Sequence, residues 1–209
     1  MLNEKEFETQ LQTYLPSNTA GNVSKYLAKH PVIVKVSRKR VSKLGDYRPP
    51  FKDAFHRISV NHDLNKYAFL ITLVHEIAHL YNWLDFKNQI KPHGPEWKNQ
   101  FKQLMLPFLQ NSTFPADIER ALASYLINPA ASSCTDQKLY QVLRKYDAQP
   151  VIHLEELSEG TIFMLSNQRV FEKRNKLRTR FRCLDLQNKR FYLINGMAEV
   201  QPVQKTTST

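Results

Sequence analysis

The sequence is poor in cysteine, in long apolar runs and in acidic charge. Its two cysteines, Cys134 and Cys183, lie far apart, and neither has a CxxC partner. That excludes a disulfide framework and a four-thiolate zinc site within one chain. No apolar run approaches the roughly 20 residues of a membrane helix. The longest, around residues 67–84, is broken by charges and histidines. The opening MLNEKEFETQ is acidic and polar and does not read as a secretory signal. A cytoplasmic protein without a membrane partner is therefore expected. Asp and Glu number 19 against 30 Lys and Arg, so the net charge is +11 and the sequence pI about 9.6. Such a surface attracts polyanions, nucleic acid first. The cations cluster rather than spread, which a need for solubility alone would not require.

Hydrophobic residues make up 42% and charged residues 23% of the 209, ordinary values for a globular chain able to bury a core. The pattern changes along it. Phe7, Leu11, Tyr14 and Leu15 share a helical face that Pro16 ends, and Asn22–His30 is a second short helix. Residues 31–40 and 56–61 alternate as strands, separated by the Gly and Pro punctuation of Lys43–Pro50, read as a loop. From Lys66 to Trp83, Phe69, Leu73, Ile77 and Leu80 recur at helical steps. A helix starting at Pro95 must end or kink near Pro107, and Pro115–Leu126 forms another. Residues 128–133 read as a linker. After a short helix at Leu139–Tyr146, TIFML, RVFEK, RTRFRCL, KRFYLI and MAEVQPV read as short strands divided by turn signals. The expected fold class is α+β, with a domain boundary near 130–135: residues 1–130 form the main domain and 131–209 a β-rich appendage.

The segment Val74-His75-Glu76-Ile77-Ala78-His79-Leu80 carries the strongest chemical signal. Histidines four apart on a helix project from one face and can grip a single Zn²⁺. Glu76, beside the first of them, can reach water at the metal without ligating it and act as general base. Two buried imidazoles and a carboxyl side by side would be costly without a cation. Catalytic zinc usually takes a third protein ligand. His93, fourteen positions after His79, is the leading candidate, and His62 the alternative. His30 and His56 are expected to be surface histidines, Glu96 a first-turn helix charge, and Trp97 a core residue. An edge strand at His56–Asn61 could hold an extended substrate by β-augmentation, or simply pack Ile58 and Val60 into a sheet.

Taken together, KLGDYR (Lys43–Arg48), ISVN (Ile58–Asn61), the Leu70–Leu80 segment with HEIAH, and HGPEW (His93–Trp97) resemble the SprT-like family, over roughly residues 30–130. HEIAH alone is shared by many zinc proteases; its ordered combination with HGPEW is far more specific. The resemblance implies zinc ligands at His75, His79 and His93 and Glu76 as general base. It also implies a minimal zincin-like protease core, helices on a small mixed sheet. Characterised relatives cleave proteins crosslinked to DNA, in a DNA-dependent way. The expected function is thus a zinc metalloendopeptidase acting on DNA-associated proteins. The alternative is a zinc-containing nucleic-acid-binding protein, linked to transcription or repair, without protease activity.

SprT-like proteins often carry a zinc ribbon after the protease core. Here the cysteines for one are missing, so the appendage is expected to resemble a ribbon without its metal, with Cys183 a buried strand residue. In RTRFR, Arg178, Arg180 and Arg182 alternate with Thr179 and Phe181. With Arg174 and Lys176 they form a cationic face near aromatics, suited to phosphates and single-stranded bases. Arg38, Lys39 and Arg40, in a second basic cluster before the metal helix, are candidates for the same partner.

Overall fold

In a computed structural model the first element follows from its cap. The Asn3 side chain accepts from the Glu6 amide while Glu6 reaches back to the Asn3 amide, and helix α1 runs Glu4–Leu11 behind this capping box. The structure describes residues 2–40, 43–130, 136–148, 151–178 and 180–203. Phe7 and Leu11 of α1 pack against helix α2 (Ala20–Leu27), which buries Val23 and Leu27. Strands β1 (Val32–Ser37), β2 (Gly45–Arg48) and β3 (His56–Asn61) form one sheet in the order β1-β3-β2. β1 runs parallel to β3 and β2 antiparallel to it, so that Val34, Ile58 and Tyr47 lie in one row. Val32, Val34, Ile58 and Val60 are buried on one face, while Ile33 and Lys35 alternate outward.

Two expectations for this sheet are corrected. Residues 45–48, read as loop, are a strand, because four consecutive residues pair with β3 before Pro49 and Pro50 end it. The strand at His56–Asn61 is central, not an edge, and the open edge beside the helices belongs to β2.

Helix α3 (Lys66–Phe86) starts at Asn65, whose side-chain oxygen accepts from the Tyr67 and Ala68 amides. Every residue from Ala68 to Ala78 is buried, so this helix has no solvent face along its middle and forms the centre of the core. Helix α4 (Pro95–Gln110) packs along it, burying Trp97, Phe101, Leu104, Met105 and Phe108. Pro107 does not end α4. The helix continues to Gln110, its last turn held by Phe108, which is buried edge-on against Tyr26. Helices α5 (Ala116–Ile127) and α6 (Gln137–Arg144) follow.

The chain divides into compact units at Ala148/Gln149, later than the composition shift near 130–135. The reason lies in α6 and the turn after it. Asn65 Nδ2 donates to the Leu143 carbonyl at 2.9 Å, Tyr146 donates to Asp117 at 2.7 Å, and the Tyr146 ring meets Tyr67 edge-on. These contacts tie α6 to the first unit. The linker reading at 131–133, and Cys134 with it, lies outside the described residues.

The second unit is antiparallel throughout: β4 (Ile162–Met164), β5 (Val170–Lys176), β6 (Arg180–Asp185), β7 (Phe191–Asn195) and β8 (Gln201–Pro202), in the order β7-β6-β5-β4-β8. Leu154, Phe163, Phe171, Phe181, Cys183 and Val200 form its own core, with Cys183 buried as expected. Lys173 is buried among them. Its ammonium donates to the carbonyls of Leu157 and Glu155 and lies 3.9 Å from the Phe181 ring centre. The chain as a whole is α+β, with six α-helices and two sheets among the described residues. None of those helices is long and apolar enough to cross a membrane.

Asn65 both caps α3 and ties it to α6. Asn65→Ala is expected to lower the unfolding free energy by about 1–3 kcal/mol, from a lost cap and a lost partly buried hydrogen bond. Urea denaturation followed by far-UV circular dichroism measures this. A change under about 0.5 kcal/mol, the size of an ordinary surface substitution, would contradict the assigned role.

Candidate metal centre

Four residues apart on α3, His75 and His79 lie with ring centres 5.1 Å apart. The chain then turns back. α3 ends at Lys87 in the left-handed region (φ 55°), and the Gly94 amide bonds the Lys91 carbonyl at 3.0 Å. His93 is itself left-handed, at φ 59°, a conformation a non-glycine residue adopts at a cost of about 1 kcal/mol or more. Gly94 caps α4 and Pro95 is its first residue, which fixes how the chain leaves His93. The result brings His93 Nε2 to 2.9 Å from His79 Nε2 and 3.3 Å from His75 Nε2. One turn into α4, Trp97 lies against all three imidazoles, with ring centres 4.5, 5.2 and 4.7 Å from His75, His79 and His93. Phe101 stacks on Trp97 from below.

The donor set fits a metal ion. Burial, and for His75 and His79 the neighbouring histidines, hold the imidazoles below their usual pKa, His79 at about 3; burial and then Lys98 lower His93. Neutral imidazoles carry the lone pair that a metal needs. Three such nitrogens this close repel one another unless a proton or a cation lies among them. Nitrogens about 2.0–2.1 Å from a tetrahedral Zn²⁺ stand about 3.3 Å apart, close to the spacings observed. His75, His79 and His93 are the one group of potential ligands that the described residues bring together. Nδ1 of His75, Oγ1 of Thr72 one turn before it, and Nε1 of Trp97 are buried without a hydrogen-bond partner among those residues.

Glu76 faces β2. The Tyr47 backbone amide donates to its carboxylate, and Gly45 leaves room for it. A Cβ at position 45 would lie 2.8 Å from both Glu76 Cγ and Thr72 Cγ2. Burial, reinforced by Asp46, pushes the Glu76 pKa up to about 8, while Arg40, Lys43 and the Tyr47 amide pull the other way. A carboxyl poised near neutrality suits a group that must both take and give a proton. Tyr47 also lies nearly parallel to His79 (10°, centres 6.3 Å apart), and its hydroxyl is 2.9 Å from Nδ1 of His56.

Of the residues picked out from sequence, His75, His79 and His93 converge, and Glu76 follows His75 on α3, facing β2. His62 does not join them: it follows β3, exposed, its amide bonded to the Ser37 carbonyl. His56, expected at the surface, is 3% exposed and wedged between Tyr47 and Trp83. Glu96 is an exposed first-turn acid as expected. Trp97 is core, yet it also walls the histidine cluster. Gly45 and Tyr47 escape a reading by periodicity. Their only signal is a place inside KLGDYR.

The basic candidates separate. Arg40 is committed within the fold, donating to Asn61 at 2.8 Å and Ser59 at 3.0 Å. Lys39 lies 3.9 Å from Asp63, and Arg38 is exposed beside it. Arg174 pairs with Glu172 at 2.9 Å. Lys176 lies over the Phe181 ring, and Arg178 precedes β6 rather than sharing its face. Arg180 and Arg182 do share an exposed face of β6, with Arg182 3.8 Å from the Phe191 ring centre. Thr179 lies outside the described residues.

His75 and His79 on the buried helix α3, His93 from the turn before α4 and the buried Glu76 beside His75 make up a group that could hold a metal ion, as expected of a metallopeptidase-type domain. The chain belongs to the SprT-like family, whose model matches residues 11–119, from the end of α1 into α5. No curated protein and no solved structure matches the chain significantly.

The shifted groups give the metal-free protein a stability optimum. His30, His56, His75, His79 and His93 all sit below the ordinary 6.5, so unfolding below that pH takes up protons. Stability therefore rises with pH up to about 6.5. Glu76 acts oppositely. Folded, it keeps its proton to about pH 8, whereas unfolded it releases it near 4.5, so stability falls across that interval. Five groups outweigh one below pH 6.5, and Glu76 acts alone above it. With a chelator present, the urea midpoint is expected to peak near pH 6.5–7, and a flat profile from pH 5 to 8 would show the shifts to be absent. Gly45→Ala is expected to cost about 1–3 kcal/mol by overpacking. Gly21→Ala is the control, since its Cβ would meet nothing nearer than 3.8 Å. Equal stability of the two variants would refute the close approach at Gly45.

Proposed function

We propose that the first unit is a zinc-dependent endopeptidase acting on DNA-associated or DNA-crosslinked proteins. The observation that carries the catalytic part is the convergence of His75, His79 and His93, with the buried Glu76 next to His75 on α3. Zn²⁺ held by His75, His79 and His93 would supply a Lewis acid that polarises a peptide carbonyl and acidifies water. A cation there also favours the ionised form of Glu76. Its carboxylate oxygen takes a proton from the attacking water and returns it to the departing amine. Trp97, Phe101 and the buried middle of α3 keep bulk water from the base of the site. The open edge of β2 lies beside Glu76 and His79, where an extended substrate chain can add as a further strand.

The nucleic-acid part rests on charge and on the second unit. Arg182 of β6 lies opposite Leu193 of β7 and over the ring of Phe191, both about half exposed, and Arg180 lies opposite Asn195. Cations beside an exposed aromatic ring suit phosphates and unstacked bases. The net charge of +11 favours such a partner, and the SprT-like resemblance favours DNA.

Glu76→Gln tests the catalytic reading. The variant is expected to keep stoichiometric zinc by metal analysis and to lose cleavage of a DNA-bound protein by at least about 100-fold. Full cleavage by that variant would sink the proposal. Arg180→Glu with Arg182→Glu is expected to weaken single-stranded DNA binding by about tenfold or more at low salt and to flatten its salt dependence. A wild-type protein that binds DNA tightly yet cleaves nothing, with or without it, would make this a non-proteolytic nucleic-acid-binding protein.

A further inference from the structure

Tyr47 touches the site at two points and is anchored at a third. Its backbone N–H donates to the Glu76 carboxylate, and its ring lies nearly parallel to that of His79. Its hydroxyl reaches Nδ1 of His56 at 2.9 Å, and the two rings are themselves stacked, 20° apart. His56 opens the central strand β3 and is 3% exposed. Its ring meets Trp83 edge-on, with centres 4.9 Å apart. Trp83 lies four residues after His79 on α3, on the same face of that helix. A closed circuit results: His79 to Tyr47, Tyr47 to His56, His56 to Trp83, and Trp83 back along α3 to His79.

The chemistry of this circuit exceeds what packing requires. A partly buried phenol and a buried imidazole on adjacent strands both lose water, and their single hydrogen bond returns little net stability. Two phenylalanines would fill the same space and leave no polar atom to satisfy. What the hydrogen bond adds is direction. It fixes the Tyr47 ring in its plane and in its position along β2. Because the same residue touches His79 with its ring and Glu76 with its amide, fixing it sets the two against each other.

We propose that Tyr47 and His56 are a positioning pair for the metal centre, with the Tyr47–His56 hydrogen bond holding the plane of His79 and the place of Glu76. This rests on the metallopeptidase reading of the site. Groups that orient metal-ligating histidines commonly change metal affinity or activity by about 10–100-fold when removed.

The test compares wild type, Tyr47→Phe, His56→Phe and the double variant, each keeping its ring. The zinc dissociation constant is measured by competition with a chromophoric chelator, kcat and KM on a protein substrate, and the fold by melting temperature. Each single variant is expected to bind zinc about tenfold more weakly and to lose kcat with KM little changed. The double variant is expected to do no worse than either single, because the pair acts as a unit. It is also expected to melt close to wild type, since both polar partners are gone together. Wild-type zinc affinity in folded Tyr47→Phe, or losses that multiply in the double variant, would overturn the pair. A wild-type protein that binds no zinc would instead overturn the metallopeptidase reading itself.

Discussion

The burial of α3 is the constraint on which the rest of the first unit depends. A helix with no solvent face from Ala68 to Ala78 must be covered on every side, and its cover comes from β2 and β3, from α4, and from α2 near its end. Two of those covering elements carry the remaining parts of the site. α4 brings Trp97 against the histidines and, through its cap, sets the exit of His93. β2 brings the Tyr47 amide to Glu76, and it can approach closely enough only because position 45 has no side chain.

Polar groups in such a place are costly, and the structure offsets the cost unevenly. Glu76 receives one amide and the distant help of Arg40 and Lys43, which leaves it well above an ordinary carboxyl. The histidines receive aromatic walls but few hydrogen-bond partners, and Nδ1 of His75 has none among the described residues. An apolar core would not tolerate this arrangement for its own sake. Three imidazoles directed at one point could instead hold a metal ion, which would satisfy their lone pairs. The left-handed backbone at His93 belongs to the same account, since local strain of this kind persists where surrounding structure holds a residue for a purpose.

The second unit solves a different problem. It has only a small core, and no cluster of metal-ligating residues occurs among its described residues. Lys173 sits inside it as a fixed cation between two carbonyls and an aromatic ring, joining β5 to the turn at Leu154–Glu156. Arg169 spans from the Asp185 carboxylate, 3.0 Å away, to the faces of Phe171 and Tyr192. Several of the arginines and lysines that make the segment so basic in sequence are thus engaged internally, whereas Lys176, Arg178, Arg180, Arg182, Lys189 and Arg190 are exposed.

What could be read without coordinates was what periodicity and short spacing encode. Helix α3, the shared face of His75 and His79, the reach of Glu76, the capped start of α4 and the alternation in β6 all follow from residues within a turn or two of one another. His93 was legible as a ligand candidate, though composition alone left His62 open beside it. Tertiary structure decided the rest, because the interactions concerned join residues far apart in the chain. It made β3 central and β2 the open edge, buried His56 against Tyr47 and Trp83, drew α6 into the first unit, and committed Arg40 to Asn61 and Ser59. Helical period and cap chemistry are local properties of sequence, whereas strand order and the partner of a buried polar atom are set only when distant segments compete for the same core.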